Sequence, residues 1–219
     1  MSIGQYIGSG ADITKILYRF DDNMDDSSGN NMHATNLSAI TYVSGFLNQM
    51  VSFNGTSSYA LFPAFGTITT FSTSLWIKTT RSTVNGVLYT FGNTNDNAAF
   101  AIGINGVTNN KIHVDLWNGS TATRLITLTS VTTGALFHIV YTHQGTNSYL
   151  YVNGQLEASS TTQHNLSIVV YSPKSIIGKH FSGVHFQGQF GELVIDNVLW
   201  SDDYVRKIYT NGIGRFGAI

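Results

Sequence analysis

Apolar and polar residues alternate along this chain with a period of two over most of its length, and stretches with helical spacing are scarce. In Phe71-Ser72-Thr73-Ser74-Leu75-Trp76-Ile77-Lys78, the last four residues put Leu75 and Ile77 on one side and Trp76 and Lys78 on the other. Such a run is a strand with one face against a core, and it gives no helical stripe. Further strands are predicted at residues 16 to 20, 50 to 53, 59 to 61, 86 to 91, 98 to 105, 111 to 117, 124 to 129, 136 to 143, 149 to 152, 155 to 159, 175 to 178 and 185 to 198. Asn-Gly, Gly-Thr and Ser-rich breaks separate them. Many short strands at this spacing predict an all-β sandwich or barrel.

The clearest local unit is Tyr149-Leu150-Tyr151-Val152-Asn153-Gly154-Gln155-Leu156-Glu157. Asn153 and Gly154 both tolerate positive φ, as a type I′ turn requires, so a two-residue hairpin is expected. Leu150 and Val152 share its core face; Tyr149 and Tyr151 share the other, as packing residues or as a ligand platform. One short helix is predicted from Ser201 to Tyr209, with a serine cap, acids in its first turn and Asn211-Gly212 as a stop. Residues 1–15 carry three glycines and little periodicity, and read as an N-terminal arm, frayed or used for attachment through Ile3, Tyr6, Ile7 and Ile13. No tandem repeat or linker divides residues 16–219, which are expected to form one domain.

Composition narrows the chemistry. The 219 residues contain no cysteine, which removes thiolate zinc sites, cysteine nucleophiles and disulfides together. Charged residues are only 11% and the formal net charge is -1, so there is no field to draw in nucleic acid or an anionic membrane. No run of 18 apolar residues occurs, and MSIGQYIGSG has neither the basic nor the apolar region of a signal peptide. Membrane insertion and a standard leader are therefore not expected. The low charge favours neutral partners, with specificity from hydrogen bonds and apolar contacts.

The order of signals along the chain carries a resemblance. Phe20-Asp21-Asp22, Asp26-Ser27-Ser28-Gly29-Asn30, Val51-Ser52-Phe53-Asn54-Gly55, Phe71 to Lys78, Phe137-His138-Ile139-Val140-Tyr141-Thr142, Leu150-Tyr151-Val152-Asn153-Gly154, Phe186 to Leu193 and Leu199-Trp200-Ser201-Asp202-Asp203-Tyr204 follow one another as in a known pattern. Together they resemble the laminin-G-like group of the concanavalin-A-like lectin and glucanase superfamily, over roughly residues 16 to 212. The resemblance implies a jelly-roll sandwich of two antiparallel sheets, with ligands taken by rim loops or a concave face. It does not imply one activity, because members include sugar-binding modules, adhesion domains, enzyme appendages and viral surface or fibre domains. Two departures stand out: Phe137 replaces a usual Trp, and Gly191 stands in Gly188-Gln189-Phe190-Gly191-Glu192 where an aspartate is frequent.

Residue by residue, catalysis finds little support. Glu157 and Glu192 are the only glutamates, and Glu192 and Asp196, at i and i+4 of one strand, are separated by roughly 13 Å. Retaining hydrolysis needs about 5 to 5.5 Å between carboxyl groups and inversion about 6.5 to 9.5 Å. The seven histidines form no metal-binding motif, and His138 and His143 fall on opposite strand faces. Asp21, Asp22, Asp25 and Asp26 form the metal candidate, with two readings open: a bound calcium ion, or a solvated loop in which Asp26 caps the following turn. The carbohydrate candidates are Trp117 and Asn118 with Asn93, Asn95 and Asp96, an aromatic face and planar polar groups in expected rim loops, with two readings open: a sugar site, or a strand-end packing residue at Trp117 beside an Asn-rich tract of polar loop filler.

The expected function is therefore a non-enzymatic virion surface, decoration or fibre domain that contacts neighbouring subunits or capsid and tail proteins and binds neutral host glycans. A free-standing extracellular carbohydrate-binding module is the alternative, and a glycoside hydrolase ranks third.

Overall fold

The computed structural model describes residues 14–45, 49–80, 86–93, 98–105, 108–170 and 174–216. Two large antiparallel sheets face each other. The first runs in the order β14 (Gln155–Ser160), β13 (Asn147–Val152), β12 (Leu136–Gln144), β7 (Thr70–Thr79), β17 (Gln187–Asp196), β4 (Gln49–Asn54) and β3 (Thr41–Ser44), with β1 (Thr14–Tyr18) paired to β17. The second runs β11 (Ala122–Ile126), β10 (Ile112–Trp117), β9 (Ala98–Ile104), β8 (Gly86–Asn93), β16 (Ile176–Ile177), β5 (Tyr59–Leu61) and β2 (Thr35–Ser38). A small third sheet pairs β6 (Gly66–Ile68) with β15 (Ile168–Val170). Neighbours such as β12, β7, β17 and β4 are far apart in sequence, the crossing connectivity of a jelly roll.

The expected phase of β7 is the observed one. Leu75 and Ile77 sit between the sheets, in a core shared with Phe71, Phe91, Phe100 and Tyr141. Across that core the buried hydroxyls of Thr73 and Tyr89 hydrogen-bond at 2.5 Å, tying one sheet to the other. Trp76 points the opposite way and is just as buried, because helix α1 (Asp202–Phe216) lies over the outer face of the first sheet. Tyr209 of the helix stacks on the Trp76 ring at 6.0 Å, and His138 packs on the same indole at 4.5 Å. Tyr151 is likewise covered and donates its hydroxyl hydrogen to Asp202 Oδ1 at 2.5 Å, so the second aromatic face of the 149–157 hairpin is a packing surface.

Three expectations need correction. The helix does not stop at Asn211-Gly212: Gly212 is buried inside it, where a Cβ would lie 2.4 Å from Trp76 Cζ2, so the glycine serves close packing of helix on sheet. The first strand is Thr14–Tyr18 and not residues 16 to 20, because Phe20 takes φ 59° and turns the chain out of the ladder. Its pairing with β17 also draws residues 14 and 15 out of the arm and into the sheet; Ile3, Tyr6, Ile7 and Ile13 lie outside the described residues. Strands β2, β3, β6 and β15 went unpredicted, since the mostly exposed Thr35–Ser38 and Thr41–Ser44 show no clean alternation and the other two have only three residues each.

The 153–154 turn has the expected geometry, with φ 50° at Asn153 and 76° at Gly154 and Val152 paired to Gln155. A Cβ on Gly154 would also come within 2.9 Å of Tyr209 Cδ1. Gly154→Ala is therefore expected to cost about 1–3 kcal/mol in denaturant unfolding, from left-handed strain and displacement of Tyr209; an unchanged midpoint would refute both causes.

Buried histidines set the response to acid. Burial pulls His138 down to about 3 and His143 down to about 4, while Ser74 Oγ and Ser148 Oγ stand 2.7 and 2.8 Å from a ring nitrogen of each. The unfolded chain protonates these rings near pH ~6.5. Below that it binds more protons than the folded chain, so stability falls with falling pH until each folded value is passed. Unfolding free energy is expected to drop by up to about 1.4 kcal/mol per pH unit per histidine on acidification below ~6.5, and His143→Gln should lessen the slope. A flat profile across the same interval would contradict the neutral, buried state.

Candidate functional site

With the helix occupying the outer face of the first sheet, a cavity of about 200 Å³ opens on the outer face of the second, lined by Gly86, Val87, Ala101, Ile104, His113, Asp115, Arg124, His180 and Val184. Strand alternation builds it. Ile112, Val114 and Leu116 of β10 are buried in the core, which turns His113, Asp115 and Trp117 outward. Register then aligns two cross-strand rows: Ala101, Asp115 and Arg124 on β9, β10 and β11, and beside it Gly103, His113 and Ile126. Small residues on β9 leave room that larger ones on β10 and β11 enclose. Gly103 has a specific part, since a Cβ there would stand 2.9 Å from His113 Cε1; its absence lets the ring lie down on the sheet.

The segment from Lys179 to His185 closes the opposite wall. It folds back on itself through His180 N–H to Val184 carbonyl and Gly183 N–H to His180 carbonyl bonds of 2.8 and 2.9 Å, carrying His180 and Val184 to the cavity. The Ser182 backbone N–H donates to His180 Nδ1 at 3.2 Å, and Ser182 Oγ lies 2.6 Å from the same atom. Nδ1 is thus an acceptor, which leaves the proton of the neutral ring on Nε2.

Charges inside the cavity cancel. The Arg124 guanidinium grips Asp115 with two bonds, Nε to Oδ1 and Nη2 to Oδ2, the latter 2.6 Å long. Hydrogen bonding to Asp115 raises Arg124 above its usual value. Burial lowers both His113 and His180, so both rings are neutral at neutral pH. His113 is 8% exposed and its Nδ1 is buried with no partner among the described residues. The site therefore offers an acceptor carboxylate with guanidinium and imidazole donors, and its described lining side chains carry no net charge.

The carbohydrate residues read from the sequence are partly brought together. Trp117 stands on the same outer face as Asp115 but does not line the cavity; Asn118 follows it, and Asn93 pairs through its backbone with Ala98, beside the Ala99 that pairs with Trp117. Asn118 is committed elsewhere, its Oδ1 accepting the Ser120 and Thr121 N–H groups at 3.0 and 2.9 Å to shape the turn after β10. Asn95 and Asp96 lie outside the described residues. His113, Asp115, Arg124 and His180 were missed, although alternation in Ile112-His113-Val114-Asp115-Leu116-Trp117 already puts three side chains on one face. Nothing local pointed to Arg124 or His180, which join them through register and loop.

The acidic loop does not gather a metal site. Among the described residues no group of three or more His, Asp or Glu side chains converges to hold an ion. Asp21, Asp22 and Asp25 are exposed, whereas Asp26 is buried and accepts N–H groups of Leu17 (2.9 Å), Ser28 (2.9 Å) and Met32 (3.0 Å) and the Ser28 hydroxyl (2.7 Å). Burial alone would raise its pKa, but these bonds outweigh burial and hold it below the usual carboxylate range. Of the other acids, Glu157 accepts the Thr129 N–H at 2.6 Å, and Asp196 accepts Trp200 Nε1–H at 2.8 Å on the helix side of the first sheet, the face that Glu192 shares.

Residues 54–206 match the family described as the concanavalin A-like lectin/glucanases superfamily, in its laminin G-like branch, and the chain belongs to it. Among solved structures it is similar to domain 4 of AbnA, a GH43 extracellular arabinanase from Geobacillus stearothermophilus in complex with arabinotriose, with a TM-score of 0.74 and 20% identity over 90% of this chain and 98% of that one. The binding domain of Paraclostridial Mosquitocidal Protein 1 gives a TM-score of 0.69 and 18% identity over 95% of this chain and 56% of that one. A botulinum neurotoxin type C structure, from work on cell entry dependent on two ganglioside molecules, gives 0.64 and 15% over 92% and 52%. The chain thus spans about half of each toxin chain, and at these identities the likeness is one of fold. No curated protein matches.

Asp26 supplies the prediction here. Asp26→Ala leaves three backbone N–H groups without their acceptor and should destabilise the fold by about 1.5–3 kcal/mol in urea unfolding. Calcium or a chelator should leave the wild-type melting temperature unchanged. A calcium-dependent rise that Asp26→Ala abolishes would show that the loop holds an ion after all.

Proposed function

We propose that this chain is a non-catalytic carbohydrate-binding domain that takes a neutral sugar in the cavity on the second sheet. The observation that carries the reading is the Asp115–Arg124 pair set between His113 and His180 over a floor of small residues. Adjacent hydroxyls of a sugar ring need an acceptor and a donor side by side, and a carboxylate locked to a guanidinium provides both in fixed geometry. A carboxylated sugar would require a cation that Asp115 has not already neutralised. The volume lies below the ~300–1,000 Å³ of clefts for drug-sized ligands, which suits a single sugar residue.

Family membership and one neighbour's ligand support this reading: the arabinanase domain was solved with arabinotriose, a neutral oligosaccharide. Glycoside hydrolysis is the weaker reading, because it needs two carboxyl groups. Asp115 is the one carboxylate among the described residues lining the cavity, and Arg124 holds both its oxygens.

A glycan array spanning neutral and uronic-acid-containing glycans, followed by calorimetric titration, tests the proposal. Neutral glycans are expected to bind with little dependence on ionic strength, because the site has no net charge to be screened. Arg124→Ala should weaken binding at least about tenfold with the melting temperature held. Absence of binding, or binding confined to acidic glycans and lost in salt, would contradict it.

A further inference from the structure

Building on the carbohydrate reading, we infer that the site takes the end of an oligosaccharide chain, with the terminal residue in the cavity and the next residue on the indole of Trp117. Strand β10 lays these two positions out in line. Asp115 and Trp117 are alternate residues on one face, separated by roughly 7 Å of strand, a separation on the scale of one sugar residue. The cross-strand neighbours of Trp117 are Ala99 on β9 and Ala122 on β11, both too small to cover a ring standing between them. The indole is half-buried, and its Nε1 is buried with no partner among the described residues. A half-buried ring whose described row neighbours are two alanines presents an apolar surface suited to the C–H face of a sugar.

The cavity supplies the independent sign of a ligand. His113 is more than nine-tenths buried and lines the cavity, and its Nδ1, closed to solvent, has no partner among the described residues, a state that a bound hydroxyl would relieve once the ring turns toward it. Specificity for the terminal residue then resides in His113, Asp115, Arg124 and His180. Preference for chain length resides in Trp117.

The test uses the full chain and methyl glycosides of arabinose, glucose, galactose and mannose, each beside its neutral di- and trisaccharide, titrated against wild type, Trp117→Ala, Trp117→Phe and Arg124→Ala. The best-bound series should show the disaccharide binding about tenfold tighter than the monosaccharide. Trp117→Ala should remove that gain, with an unchanged melting temperature as its folding control. Trp117→Phe, which keeps an aromatic face, should retain most of the gain should the alanine variant fail to fold. Equal affinity for mono- and disaccharide, with binding still lost in Arg124→Ala, would overturn chain-end recognition and leave the carbohydrate reading standing. Equal weakening of both ligands by Trp117→Phe would overturn it too, by placing Trp117 in the primary site. No binding by any probe would remove both.

Discussion

Helix α1 can lie against the first sheet because Gly212 has no side chain where the Trp76 ring sits. Much of the molecule's division of labour follows from that contact. Stacking of Tyr209 and His138 on the same indole makes the far side of β7 and β12 a second buried layer, and Leu17, Val140, Tyr151 and Val194 continue it beneath Trp200, Val205 and Ile208. Strands buried on both faces have no surface left for a ligand. Among the described residues the second sheet carries no helix, and its outer face keeps the cavity.

Within that cavity the electrostatics are conservative. One acid and one base neutralise each other at hydrogen-bonding distance, and two imidazoles stay neutral because burial makes their protonation costly. Donors and acceptors fixed this way, with no net charge, recognise hydroxyl groups by geometry more than by field. The overall composition, with 11% charged residues, extends the same character to the rest of the surface.

Period-two alternation made the phase legible at Leu75 and Ile77 of β7 and at Leu150 and Val152 of the 149–157 hairpin, where one side of the strand meets the core. The short exposed strands β2 and β3 could not, because no buried face imposes alternation on them. Gly212 looked like a helix stop because a glycine that ends a helix and one that lets a ring approach are the same letter. Trp117 was legible as a candidate aromatic platform, though in a rim loop, and alternation along Ile112 to Trp117 could have placed it with His113 and Asp115 on one strand face. Arg124 and His180 could not, since they reach the site through the pairing of β11 with β10 and the fold-back of residues 179 to 185, contacts that no local pattern encodes. The four aspartates left two readings open, and the observed loop follows the solvated one: Asp26 turns inward to bind backbone and the other three turn out.

If the outer face of the second sheet with its 179–185 wall is the binding surface, as proposed, backbone amide chemical-shift mapping with a neutral trisaccharide should show shifts confined to His113, Asp115, Trp117, Arg124 and the 179–185 segment, with the β7, β12 and α1 amides unmoved. Shifts centred instead on the acidic loop after β1, or on the 54–58 turn, with the β10 amides silent, would contradict it.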